Sequence, residues 1–286
     1  MLASRTLPTT LLFGLAFSSM GCMGADPVGS EELSFRYNWT IQQTEARDDS
    51  PGGGLWVNNG VSDPNVGGID PAYPLSSPLG LSETAGVLTD PQTRIAAEYL
   101  VECALPEGAS IEKTVDGETI VLEGQLGLAP EWEDADCEED CQEWVTACML
   151  ARTNVNAQTI QISLRADHPA IGLNAVPGYD VYEGSFYGNF FADPDAQYMC
   201  AGNEQQQVLS HLQGRTCSDS DTTCGFTLYE QCEVTDRCAF VEIDGGKVAG
   251  GCTADGDTTE FKTITVYLLD DAIDDDDQGE DDDDQD

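Results

Sequence analysis

Basic residues are scarce in this chain. Its 286 residues hold 11 Lys and Arg against 53 Asp and Glu, a formal net charge of −42 at pH 7. A nucleic-acid binder needs a basic footprint to neutralise phosphates, so nucleic acid is not an expected partner. Anionic lipid head groups are disfavoured for the same reason. Lysine is limited to Lys113, Lys247 and Lys262. An acid excess of this kind suits a surface tuned for solubility. Histidine is limited to His168 and His211, which leaves few candidates for imidazole chemistry. Long apolar runs are missing as well. The stretch Leu11–Phe17, preceded by the single cation Arg5, has the length of a signal-peptide h-region and is too short to cross a bilayer. There is no internal repeat.

Cysteine is abundant by contrast. The eleven are Cys22, Cys103, Cys137, Cys141, Cys148, Cys200, Cys217, Cys224, Cys232, Cys238 and Cys252. Setting Cys22 aside leaves ten, enough for five disulfides. In an oxidising compartment an odd thiol is a liability. A cut after Ser18 would keep Cys22 as an unpaired eleventh. A cut after Gly24 or Ala25 would put Cys22 or Met23 at the −3 position, which prefers small residues. Ser19-Met20-Gly21-Cys22 instead resembles the lipobox of bacterial lipoproteins, with Ser19 where leucine is usual. The expectation is a lipoprotein-type signal over residues 1–21 and lipid on Cys22 as the mature N-terminus. The protein is then exported and lipid-anchored at the cell envelope, at the outer membrane or cell surface, with secretion as the alternative.

Composition divides the rest. Residues 22–89 read as a Gly/Pro-rich linker, with fourteen Gly or Pro among residues 51–91, and one period-2 strand at 33–41. Residues 90–269 read as one cysteine-rich globular domain. Within it the pattern predicts a helix opened by Asp90-Pro91 and carrying Ile95, Tyr99 and Cys103. A hairpin follows over 110–123, turning at Asp116-Gly117, and a second helix from Cys137 to Arg152. A strand is expected at 159–165, a short helix at 203–213, a hairpin at 240–250 and a last strand at 261–269. Strands and helices without regular alternation indicate an α+β fold: a single disulfide-stapled domain with a mainly antiparallel sheet and two or three helices. Residues 270–286 hold twelve acids and no base. Such a run should be a disordered, solvating tail. Its sharper reading is a weak sponge for cations or a docking segment for a cationic protein.

Cys137, Cys141 and Cys148 share one helix face, which invites a metal-site reading. Four ligands and short paired spacings are wanting, so disulfides are the expected state. Cys103 is the sensible partner of Cys148 if the two helices pack. Cys137 and Cys141 are then left to an unusual i,i+4 bridge. Cys200, Cys217, Cys224, Cys232, Cys238 and Cys252 have fifteen possible pairings. The segments AAEYLVECALPEG, GLAPEWEDADCEEDCQEWVTACMLARTN, QISLRADHPAIG and YEGSFYGNFF resemble, in patches over about residues 95–240, a group of cysteine-containing predicted lipoproteins of myxobacteria. The resemblance implies export and a shared architecture, and no activity.

Tests for chemistry return little. Asp167-His168-Pro169 could orient an imidazole, and Ser185 is the nearest nucleophile by context, without nucleophile-elbow spacing. Turn and packing roles are the simpler reading of both histidines. No catalytic residues are assigned. Asp219, Asp221, Thr223 and Glu230 occupy the first, third, fifth and twelfth places of an EF-hand-like loop and are the one calcium candidate. Cys224 stands where the sharp-turn glycine belongs. Otherwise no cofactor is expected. A second acidic cluster lies at 255–260. The aromatic-rich stretch from Tyr179 to Phe191 reads as core rather than as a sugar-stacking platform. The functional expectation is a non-catalytic envelope or surface protein with a binding or structural role. An exported hydrolase and a calcium-dependent adhesion module are the alternatives.

The tail reading carries a test. Deleting residues 270–286 should leave the thermal midpoint of the domain nearly unchanged, because only Ala272 and Ile273 in the run are apolar. A loss of several degrees in a melting curve would mean that the tail docks.

Overall fold

A computed structural model describes residues 55–58, 65–154, 160–202, 227–233 and 236–269, all within the unit Thr44–Asp286. The strands are β1 (Leu55–Asn58), β2 (Ser110–Val115), β3 (Glu118–Glu123), β4 (Gln161–Arg165), β5 (Val181–Asn189), β6 (Ala196–Ala201), β7 (Thr227–Gln231), β8 (Cys238–Ile243), β9 (Gly246–Cys252) and β10 (Thr263–Leu268). The α-helices are α1 (Arg94–Ala104) and α2 (Glu139–Ala151). Six strands form one sheet in the order β1-β4-β10-β5-β6-β7, and β2–β3 and β8–β9 are separate hairpins. Every pairing is antiparallel except β6 with β7. The fold is α+β, mainly antiparallel and stapled by disulfides.

The sheet is covered on both sides. One face presents Leu55, Val57, Ile162, Leu164, Phe186, Met199, Ile264 and Val266 to the larger apolar core, which includes α1 and α2. The other presents Tyr182, Tyr187, Cys200 and Tyr267 to the β8–β9 hairpin. Strand β10 is therefore buried at all positions, as is β5. Continuous burial of this kind removes the alternation that marks a half-exposed strand.

Local signals explain most elements. Asp116 and Gly117 both have positive φ, 51° and 85°, as a two-residue type I′ hairpin turn requires. Asp90 accepts from the Gln92 N–H at 2.9 Å, and its carbonyl accepts from Thr93 and Arg94. Asp90-Pro91 thus forms the turn ahead of α1 and not its first residue. Helix α2 starts two residues later than its cysteine pattern predicts.

The linker expectation is corrected for residues 55–58 and 65–89. Strand β1 pairs with β4, and Leu75, Leu81, Val87 and Leu88 lie in the main core. The glycines serve close chain crossings here. Gly86, with φ of 78°, sits where any Cβ would meet the backbone of Gly67. Lys113 fastens the same loop by donating to the Ser77 carbonyl at 2.6 Å. The strand expected at 33–41, the helix expected at 203–213 and the acidic tail 270–286 lie outside the described residues.

Four disulfides are described. Cys103–Cys148 joins α1 to α2 with Cα atoms 6.0 Å apart, and Cys137–Cys141 closes the start of α2 at 5.3 Å. Cys200–Cys232 ties β6 to the end of β7, and Cys238–Cys252 joins facing residues of β8 and β9. Cys217 and Cys224 lie outside the described residues. Replacing Cys103 and Cys148 together by alanine should cost about 2–4 kcal/mol, read as a fall of about 5–15 °C in thermal midpoint. An unchanged midpoint would show that the helices hold without the bridge.

Candidate functional site

Four segments converge around one open groove of about 570 Å³, the shortest being Pro106 just after α1. Helix α2 supplies Asp140, Cys141 and Trp144; the loop after β3 supplies Leu126, Leu128, Pro130 and Glu131; the turn after β4 supplies His168, Pro169 and Ala170. Its size is that of an ordinary small-ligand or peptide site.

Each wall has a visible cause. Leu126, Leu128 and Ala129 donate their N–H groups to the carbonyls of Glu102, Cys103 and Ala104 at 2.7, 3.0 and 2.9 Å. That fixes the loop against the C-terminal end of α1 and satisfies carbonyls the helix would leave open. Trp132 is buried. Its indole donates to the Tyr73 carbonyl at 3.1 Å and packs edge-on against Phe191, so neighbouring Glu131 is held outward. The Cys137–Cys141 bridge ties the acidic approach to the first turn of α2. Cys137 also donates its N–H to the Pro71 carbonyl at 2.8 Å. The stretch Glu131–Asp140 holds seven acids and no base, and all except half-buried Glu133 are exposed.

His168 lies across from them. Its Nδ1 accepts from the Ala170 N–H at 3.1 Å, and its carbonyl accepts from Ile171 and Gly172. The ring packs edge-on against Trp144, with centroids 4.9 Å apart. With Nδ1 occupied as an acceptor, the neutral ring carries its proton on Nε2. Burial pushes its pKa below the ordinary value, against the pull of Glu131. Nδ1 therefore does not donate to Asp167, and the acid-oriented imidazole is not formed.

Ser185 is elsewhere. It is buried on β5, with Oγ 2.9 Å from the Tyr182 hydroxyl and 3.4 Å from Thr265 Oγ1. Thr265 in turn accepts from Ala249 of β9, so Ser185 faces the hairpin and not α2. The sequence pairing of Ser185 with His168 is not brought together. His211 lies outside the described residues.

A second cavity of about 340 Å³ is lined by Asp180, Tyr182, Glu233, Glu242, Lys247 and Tyr267. Lys247 pairs with Glu233 there and lies 4.8 Å from the Tyr182 ring centre. Its charge is already matched, and the arrangement reads as a pin for the hairpin.

The remaining sequence candidates fall as follows. Cys22, Asp219, Asp221 and Thr223 lie outside the described residues. Glu230 sits in strand β7, not at the head of a helix. In the 255–260 cluster, Asp255 pairs with Arg237 at 2.5 Å, and Asp257 accepts from Thr258 and Thr259. Tyr179, Tyr182, Phe186, Tyr187 and Phe190 are buried, which makes that stretch core. Cys137, Cys141 and Cys148 are all bridged. The sulfurs of Cys200, Cys238 and Cys252 lie within 4.8 Å of one another, but each is in a disulfide and offers no thiolate.

The depressed His168 pKa has a sign. Stability from the neutral half-buried ring is full above the ordinary value of 6.5 and is lost as pH falls through the lower folded value. An imidazole titration by NMR should place one histidine midpoint below 6.5. His168→Asn, which keeps an acceptor for Ala170, should abolish that signal and the matching fall in thermal midpoint. A midpoint at or above the ordinary value would remove the burial argument. No family model, no curated protein and no solved structure matches the chain.

Proposed function

We propose that this is an exported, lipid-anchored, non-catalytic protein of the cell envelope, and that its disulfide-stapled domain has a binding role. Cysteine parity carries the reading. Eight of the cysteines are paired among the described residues. Cys217 and Cys224 complete an even set of ten, and Cys22 is the odd one out. An oxidising compartment favours such a framework. An odd cysteine preceded by small residues after an apolar run fits lipid modification. Several acyl chains on one residue would anchor durably, where a single chain binds only marginally. The resemblance of its segments to predicted lipoproteins of myxobacteria points the same way.

The binding role rests on the groove. Its lining combines an imidazole and two carboxylates with Trp144, two leucines and three prolines. A mostly apolar lining with a few polar groups is the usual make-up of a ligand site.

Changing Cys22 to Ser should move the protein from the membrane to the soluble exported fraction, or leave an uncleaved precursor. Radiolabelled fatty acid should enter the wild type only. A soluble wild type with its N-terminus at Ala25 or Asp26 would overturn the anchor.

A further inference from the structure

Resting on that binding role, we infer that the groove beside Trp144 and His168 receives an extended cationic peptide segment of a partner protein, with apolar side chains on Trp144 and Pro130 and basic ones toward Glu131 and Asp140.

Charge complementarity selects this occupant. One wall carries Glu131 and Asp140, the two ends of a seven-acid stretch. Among the described residues there is no spare cation to answer it. Arg94 binds the Leu88 carbonyl, Lys113 the Ser77 carbonyl, and Arg152 pairs with Glu102. Arg165 binds the carbonyls of Gly245 and Tyr179. Arg237 pairs with Asp255 and Lys247 with Glu233. Lys262 alone reaches the wall, 3.2 Å from Asp140. These seven are all the Lys and Arg among the described residues. A ligand that matches the wall must bring its own positive charge.

Shape selects a peptide over a small cation. The groove is open rather than enclosed, which suits a chain crossing it more than a compact molecule to be enclosed. Trp144 and His168 give it an aromatic side, and exposed Pro130 and Pro169 lie beside them. Aromatic-lined troughs of this type take extended, proline-containing segments through alternate side chains. The carboxylates then add on-rate and selectivity by steering. The neutral His168 ring does not oppose the incoming charge. Its facing charged groups are Glu131 and Asp140 from the wall and Lys262 beyond Asp140.

The probe is a nonapeptide of three Lys-Pro-Leu repeats, titrated calorimetrically into the purified full mature protein. Comparators are the Glu-Pro-Leu peptide, nonalysine and spermine. The Lys-Pro-Leu peptide should bind and its Glu counterpart should not. Trp144→Ala should weaken binding about tenfold. Glu131→Gln and Asp140→Asn should each weaken it about threefold and flatten its salt dependence. Both are exposed, so the domain should keep its thermal midpoint even if the Trp144 variant does not. Nonalysine binding as tightly as the peptide, with Trp144→Ala silent, would reduce the effect to diffuse charge and overturn the assignment. Spermine binding more tightly than the peptide, with dependence on Trp144, would reassign the groove to small cations. No binding at all would overturn it outright. Fatty-acid labelling reads the anchor separately. A labelled, membrane-bound protein that takes no peptide sinks the groove assignment alone. A soluble, unlabelled protein that takes it sinks the anchor alone.

Discussion

Arg165 is the point on which the smaller half of the fold depends. Its guanidinium is fully buried. It donates to the carbonyls of Gly245 and Tyr179 at 2.8 and 2.7 Å and lies over the Tyr267 ring at 3.5 Å. One planar cation thus joins strand β4, the approach to β5, the turn of the β8–β9 hairpin and strand β10. Burying such a charge costs several kcal/mol unless its donors are met. Desolvation lowers its pKa, yet arginine stays protonated. A two-stranded hairpin is marginal alone, so β8–β9 needs this clamp. Tyr267 adds a reciprocal pair, accepting from the Lys247 N–H at 2.9 Å and donating to the Lys247 carbonyl at 2.8 Å. The hairpin side of the sheet is held by directed polar contacts, while the α1–α2 side is held by apolar area.

This asymmetry explains which elements the sequence disclosed. The β2–β3 hairpin alternates, with Ile111, Lys113 and Val115 inward, and its Asp-Gly turn is unambiguous. The β8–β9 hairpin and the two helices were legible for similar reasons: turn residues and a 3.6-residue period. Strand β5 was not. All nine of its residues are buried, and its two glycines look like turn signals. They serve the approach of β6 instead. Gly188 has φ of 138°, and a Cβ there or at Gly184 would meet β6 carbonyl oxygens. Composition also misled at residues 65–89. Pro and Gly exclude helix, but they do not exclude a compact loop with its own buried leucines. The Cys103–Cys148 pairing was legible because both residues sit on inward faces of helices that had to pack together.

The groove was legible only in pieces. Trp144 and the cysteines of α2 stood out, and so did His168. What no pattern along the chain could supply was their meeting. It depends on the loop 126–131 folding back on α1, and on a five-residue turn after β4. The acidic decapeptide around Trp132 was a usable signal: with the tryptophan buried, its acids are left at the surface.

Among the described residues, the stretch Glu131–Asp140 carries seven acids with no base of its own. Glu139 and Asp140 occupy the first turn of α2, where the helix dipole favours negative charge. Lys262 offsets Asp140. Glu131, Glu133, Asp134 and Asp136 have no cation paired to them among the described residues. Unpaired negative charge beside an apolar groove is also a form of selectivity. An anionic ligand would add to it, a neutral one would leave it unchanged, and a cationic one relieves it. The same distribution that commits every described lysine and arginine to internal contacts therefore sets the sign of what the groove can hold.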